Sequence, residues 1–158
     1  MAMTEETPTP TDFLKRVEFR ETALLSFVTS AIIEPAYEQV QREFGIIRAE
    51  YMLLLCLSHY PILSARDVSI LTGRPKNSIS RAVHRMLALG HIARARSASD
   101  GRQAHLSITP SGREMHAKIM STVLSHQEVT LISLTADERR TLISLLDKVT
   151  CQAVGAGT

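Results

Sequence analysis

A mainly α-helical chain carrying one small β-hairpin is the fold class this sequence predicts, and three observations carry it. Apolar residues recur at three- and four-residue steps over most of the length. Aromatics make up only 4% and Trp is absent, while Leu, Ile, Ala and Val abound, which favours helices over a sandwich or barrel. The period drops to two only between residues 91 and 108. The 158 residues, 44% hydrophobic and 22% charged, suit one domain with a substantial core and exclude wholesale disorder.

In chain order, residues 1–11 are polar and proline-rich and read as a disordered tail. From Thr11 to Phe44, Val17, Leu24, Val28, Ala31 and Ile32 keep helical spacing, with a kink or break expected at Pro35 and an end at Gly45. Residues 48–58 form a second helix, apolar nearly all round from Tyr51 to Leu57 and therefore central. Ser64-Ala-Arg-Asp67 opens a short helix as a near capping box, and Gly73 stops it. Arg74-Pro75 leads into a helix from Lys76 to Leu89, ended by Gly90. Two helices joined by a short turn containing Gly make a helix-turn-helix.

Alternation in 91–97 and again in 103–108 gives two strands, and Ser99-Asp100-Gly101 supplies the turn of a hairpin. Thr109-Pro110 is a cap and first position for a long helix reaching about Ser133. Thr135-Ala-Asp-Glu138 is a full capping box opening a last helix through Cys151, followed by a flexible tail over 152–158. The hairpin after the helix-turn-helix makes a wing. The expected architecture is thus a winged helix-turn-helix over about 46–109 within a single domain, 12–151.

Net charge is +2, but its distribution is uneven. Residues 64–118 carry ten Lys or Arg against three acids, so a basic middle lies between acidic ends and attracts polyanions. On a helical wheel, Asn77, Ser80, Arg81, His84 and Arg85 share one sector, and Ile79, Ala82, Val83, Met86 and Leu89 the opposite one. The polar sector holds no acid, so its cations read as unpaired, whereas a merely solvated helix mixes signs. Arg can read guanine, Asn adenine, and Ser phosphate or base edges. Arg74, Lys76 and Ser78 flank this sector, and Ser64 opens the preceding helix. The wing adds Arg94, Arg96 and Arg102, an arginine at its tip suiting a narrow minor groove, with Asp100 orienting a neighbouring arginine.

These residues, taken in order, resemble the MarR family of bacterial transcription regulators. The stretches are Leu63-Ser-Ala-Arg-Asp-Val-Ser-Ile-Leu-Thr-Gly73, Ser80-Arg81, Leu89-Gly-His-Ile-Ala-Arg94, Asp100-Gly-Arg102 and Ile108-Thr-Pro-Ser-Gly112, with Phe44-Gly-Ile46 upstream. The resemblance runs from about residue 12 to 151. It departs at Pro35, where relatives run on, and at Arg74-Pro75-Lys76-Asn77. It implies an obligate homodimer formed by helices over about 12–44 and 110–151, a pseudopalindromic double-stranded DNA operator, and repression as the default. An apolar surplus at Val123, Leu124, Leu131, Ile132, Leu134, Leu142, Leu145, Leu146 and Val149 agrees with a dimer. The resemblance further implies a small-molecule effector, aromatic or anionic, near Arg20, Tyr37, Tyr51, Met52, Cys56, His59 and His116. Plain core packing is the rival reading of Tyr51, Met52 and Cys56, and helix capping that of His59.

Other classes find less support. Phosphate-cradling glycine loops, His-Glu-x-x-His and Gly-x-Ser-x-Gly are absent, so no enzyme, catalytic residue or cofactor is expected. No Cys-x-x-Cys or helical His pair suggests a metal. Cys56 in an apolar helix should be an unreactive thiol, which weakens a redox-sensing repressor. A winged-helix protein-interaction module would more simply lose the basic face. No apolar run is long enough to span a bilayer, and the N-terminal segment lacks a secretion pattern, so a cytoplasmic location is expected.

Overall fold

The computed structural model describes residues 9–96 and 104–155. The chain divides into two compact units, one ending at Val123 and one starting at Leu124. The first holds helices α1 (Pro10–Arg16), α2 (Arg20–Val28), α3 (Glu34–Phe44), α4 (Arg48–His59), α5 (Ala65–Thr72) and α6 (Lys76–Ala88). It also holds strands β1 (Ile92–Arg96) and β2 (Ala104–Ile108). Helix α7 (Pro110–Thr130) runs past Val123, and α8 (Ala136–Gly155) follows.

The N-terminal run differs from expectation. Its break lies at Val17, whose backbone is extended (φ −80°, ψ 138°), and not at Pro35. Pro35 instead occupies the first turn of α3, after one π turn over Thr29–Ile33. The proline ring clashes with the carbonyl four residues back and removes a donor. A wider turn absorbs this: the Glu34 N–H reaches back five residues to the Thr29 carbonyl, and the helix continues. Pro10 and Thr11, expected in the tail, are already helical, with Thr9 accepting from the Asp12 N–H. At the other end α7 stops at Thr130 and α8 continues to Gly155.

The core lies where the apolar helix was expected. Leu53, Leu54 and Leu57 of α4 meet Val68 of α5, Ile79 and Met86 of α6, Ile92 and Leu106 of the hairpin, and Ile119 of α7, all 3% exposed or less. The strands pair antiparallel with Ile92 opposite Ile108 and Arg96 opposite Ala104. Leu63, just before α5, exchanges two backbone hydrogen bonds with Leu106 (3.1 and 2.8 Å), tying the helix-turn-helix to the wing. Thr109 donates to the Gly90 carbonyl (2.7 Å) and accepts from the Gly112 N–H (3.1 Å), so one hydroxyl fixes the end of α6 and the start of α7. Gly112 must be glycine: a Cβ there would sit 2.0 Å from the His91 carbonyl oxygen.

Candidate functional site

Helix α6 is seated by its inner face. Ile79, Ala82, Val83 and Met86 are buried. Leu89, assigned to that face by the wheel, is 46% exposed because the helix has ended before it. Asn77, Ser80, Arg81 and His84 are exposed on the outer face, and Ser78 is half-buried. Arg81 has no ion-pair partner among the described residues. Pro75 precedes α6 without a side-chain cap, and the first turn holds no acid. The Ser78 and Ile79 N–H groups donate to the Pro75 carbonyl (3.0 and 3.2 Å), which leaves the N–H groups of the exposed Lys76 and Asn77 to face an anion.

Three expected contacts change character. Arg85 is not an unpaired cation. Its Nη1 donates to both Glu50 oxygens (2.8 and 2.6 Å) and its Nη2 to the Gly45 carbonyl (2.8 Å). Glu50 is 2% exposed, and a carboxylate so buried needs a cation beside it. Ser64 spends its hydroxyl locally, accepting from the Asp67 N–H (3.2 Å) and donating to the Asp67 carboxylate (2.7 Å). Hydrogen bonds from Ser64 hold Asp67 below the usual carboxylate range, its backbone N–H contributing most. Arg74 is half-buried in the turn, its carbonyl accepting from Ser69 Oγ (2.6 Å). Arg94 is exposed on β1, whereas the Arg96 side chain, Asp100 and Arg102 lie outside the described residues.

The residues named for an effector partly converge. The Tyr51 ring stacks on His116 (5.8 Å between centroids, 17° between planes) and lies 6.0 Å from Tyr37. The Tyr37 hydroxyl contacts Met52 Sδ (3.7 Å), and the Tyr51 hydroxyl Met120 Sδ (3.8 Å). The Arg48 guanidinium covers the Tyr37 ring at 4.7 Å. Arg48 Nε and His116 Nδ1 are buried without a hydrogen-bond partner among the described residues. Burial first, then Tyr37, pushes the Tyr51 phenol up to about 12. Burial first, then His59, lowers His116. Cys56 is buried and its thiol is pushed up by that burial. Arg20 and His59 are both exposed. Sequence reasoning missed Glu50, Arg48 and Met120. Glu50 was the visible anomaly, an acid entering an otherwise apolar helix.

A family model described as MarR family matches residues 44–103. The transcriptional regulator TtmR of Methylorubrum extorquens is 28% identical over 111 residues, covering 70% of this chain but 56% of that protein. The transcriptional repressor Rv2887 of Mycobacterium tuberculosis is 23% identical over 125 residues, covering 79% of this chain and 90% of that one. A solved structure of a MarR mutant from E. coli complexed with operator DNA superposes with a TM-score of 0.68 at 19% identity, covering 84% and 98% of the two chains. That likeness establishes the fold. The helix-turn-helix packed on α4, the paired strands and these matches agree: residues 44–103 match the MarR family of transcriptional regulators, the fold is that of solved MarR-family structures, and the relatives named above are transcriptional regulators.

Proposed function

We propose that this protein is a homodimeric, sequence-specific repressor that lays α6 of each protomer in the major groove of double-stranded DNA. The observation that carries the reading is the outer face of α6: Asn77, Ser80, Arg81 and His84 exposed together, no acid among them, and Arg81 without an ion-pair partner among the described residues. Residues 46–109 act as the reading module, and 12–44 with 110–151 as dimerisation arms. Exposed Leu24, Leu25, Phe27 and Val28 on α2, and separately Ile143, Leu145, Leu146 and Val149 on α8, support a second copy as their cover. A twofold pair sets two α6 helices about 34–36 Å apart over a pseudopalindrome. No helix among the described residues is long and apolar enough to cross a membrane, which agrees with cytoplasmic work on DNA.

Fluorescence anisotropy with a duplex selected by the protein from a random pool tests this. Wild type should bind with strong salt dependence. Arg81→Ala should weaken binding and flatten the salt slope by about 0.9 for each phosphate it no longer neutralises. Wild type that ignores every duplex at low salt would leave a protein-interaction module. The aromatic cluster favours an effector as well. Tyr37, Tyr51 and His116 pack ring to ring with Arg48 over Tyr37, and Arg48 Nε and His116 Nδ1 have no hydrogen-bond partner among the described residues, which favours a small aromatic or anionic ligand if the cluster opens. Such a ligand releases the operator only by its differential affinity for the two protomer arrangements.

A further inference from the structure

The structure assigns Arg85 to a clamp: we propose that it is a positioning residue that fixes α6 against the α3–α4 junction and makes no DNA contact. This rests on the DNA-binding reading above. Arg85 and Arg81 lie one turn apart on α6, yet their surroundings differ. The Arg85 guanidinium bridges two acceptors from outside its own helix, the Glu50 carboxylate of α4 and the Gly45 carbonyl that ends α3. Glu50 is itself committed, its Oε2 also accepting from the Ile47 N–H (2.9 Å) at the start of α4. Gly45 sits at φ +66°, the left-handed end of α3, where the helix dipole adds negative potential. One planar fork therefore joins the C-terminus of α3, the N-terminus of α4 and the second half of α6. A lysine, with a single compact ammonium, lacks the side-by-side nitrogens that serve the two acceptors here.

Arg81 is thereby left as the arginine of α6 free for DNA. Any displacement of α3 at Gly45 is passed to the reading helix through this side chain as well as through the core shared by Val40, Ile46, Ile79 and Met86, a route by which the arms can set its angle.

The test uses the full chain as wild type, Arg85→Lys, Arg85→Gln, Glu50→Gln and Arg81→Ala, each first shown folded by circular dichroism. Hydrogen exchange of the α6 amides is measured without DNA, and affinity for the selected duplex across a salt series. The clamp requires Arg85→Lys and Glu50→Gln to speed exchange in α6 at least severalfold while Arg81→Ala does not. It also requires both to weaken DNA binding about tenfold or more with an unchanged salt slope. A phosphate-binding Arg85 would behave otherwise: Arg85→Lys would bind like wild type, Arg85→Gln would reduce the slope by about 0.9 per phosphate, and Glu50→Gln would not weaken binding. That pattern, or α6 exchange unchanged in both clamp variants, overturns the proposal. If wild type binds no duplex while the exchange pattern holds, the clamp stands and the DNA reading falls.

Discussion

Gly112 and His116 show what single positions control. At Gly112 a methyl group would meet the His91 carbonyl oxygen at 2.0 Å and Ile108 Cγ1 at 2.9 Å, so α7 or the β1 start must move. Gly112→Ala should cost at least about 2 kcal/mol by overpacking, read as a lowered urea midpoint. Gly73→Ala, with open space but φ +63°, should cost only about 1 kcal/mol. Burial holds His116 below its ordinary value, so the fold prefers the neutral ring and the unfolded chain takes up a proton first. The stability this confers is full above about pH 6.5 and is lost as the pH falls through the lowered native value. His116→Phe keeps a ring on Tyr51 and removes the titration. The fall in Tm from pH 7.5 to 5.5 should therefore shrink in that variant, and an unchanged fall would assign it to other groups. The thiol and phenol positions were legible from the apolar run of α4. The fate of Arg85 was not, because a wheel shows which way a side chain leaves its own helix. It does not show an acid 35 positions earlier that the fold brings to 2.6 Å.

Elements were most legible where a local signal fixes their ends. Ser64 with Asp67, Thr135 with Glu138 and Thr109 before Pro110 each cap the helix they announce. The two-residue period marked both strands, which pair in register from Ile92 to Arg96. What failed needed knowledge of neighbours. Pro35 was read as a kink or a break because its lost hydrogen bond is visible in sequence, whereas the π turn that lets the helix run on past it is not. The bridge of Leu63 to Leu106 is a single residue and carries no period at all. Ser64→Ala removes a cap from α5 and should cost about 1 kcal/mol at pH 7. The Ser64 N–H, which alanine keeps, lowers the Asp67 pKa most, and the Ser64 hydroxyl adds to it; the hydroxyl–carboxylate part of the contribution is therefore present above the ordinary carboxylate value and fades as pH drops through the native one, while the bond from the Asp67 N–H to Ser64 Oγ persists. Chemical denaturation at pH 7 and in acid should show the gap between the two proteins narrowing as the pH falls; a constant gap would mean that the hydroxyl–carboxylate pair contributes nothing.

At the scale of the whole molecule, α2 and α8 each leave apolar residues exposed, and under the proposed function a second copy covers them. Leu145 and Val149 lie one turn apart on α8 and are 54% and 55% exposed. If a second copy covers them, the double variant Leu145→Glu/Val149→Glu should raise the dimer dissociation constant roughly a hundredfold or more. Sedimentation equilibrium reads this directly, and an unchanged mass would place the interface elsewhere. The sequence announced this surplus, since charge and hydropathy are additive along a chain. The symmetry that would use it is a property of two chains. The central claim, two α6 helices presented together to one duplex, is tested most directly by hydroxyl-radical footprinting on the selected site. Two protected patches related by a twofold axis, centred about 10 base pairs apart on one face of the duplex, are the expected result. A single unsymmetrical patch, or none at low salt, would contradict it.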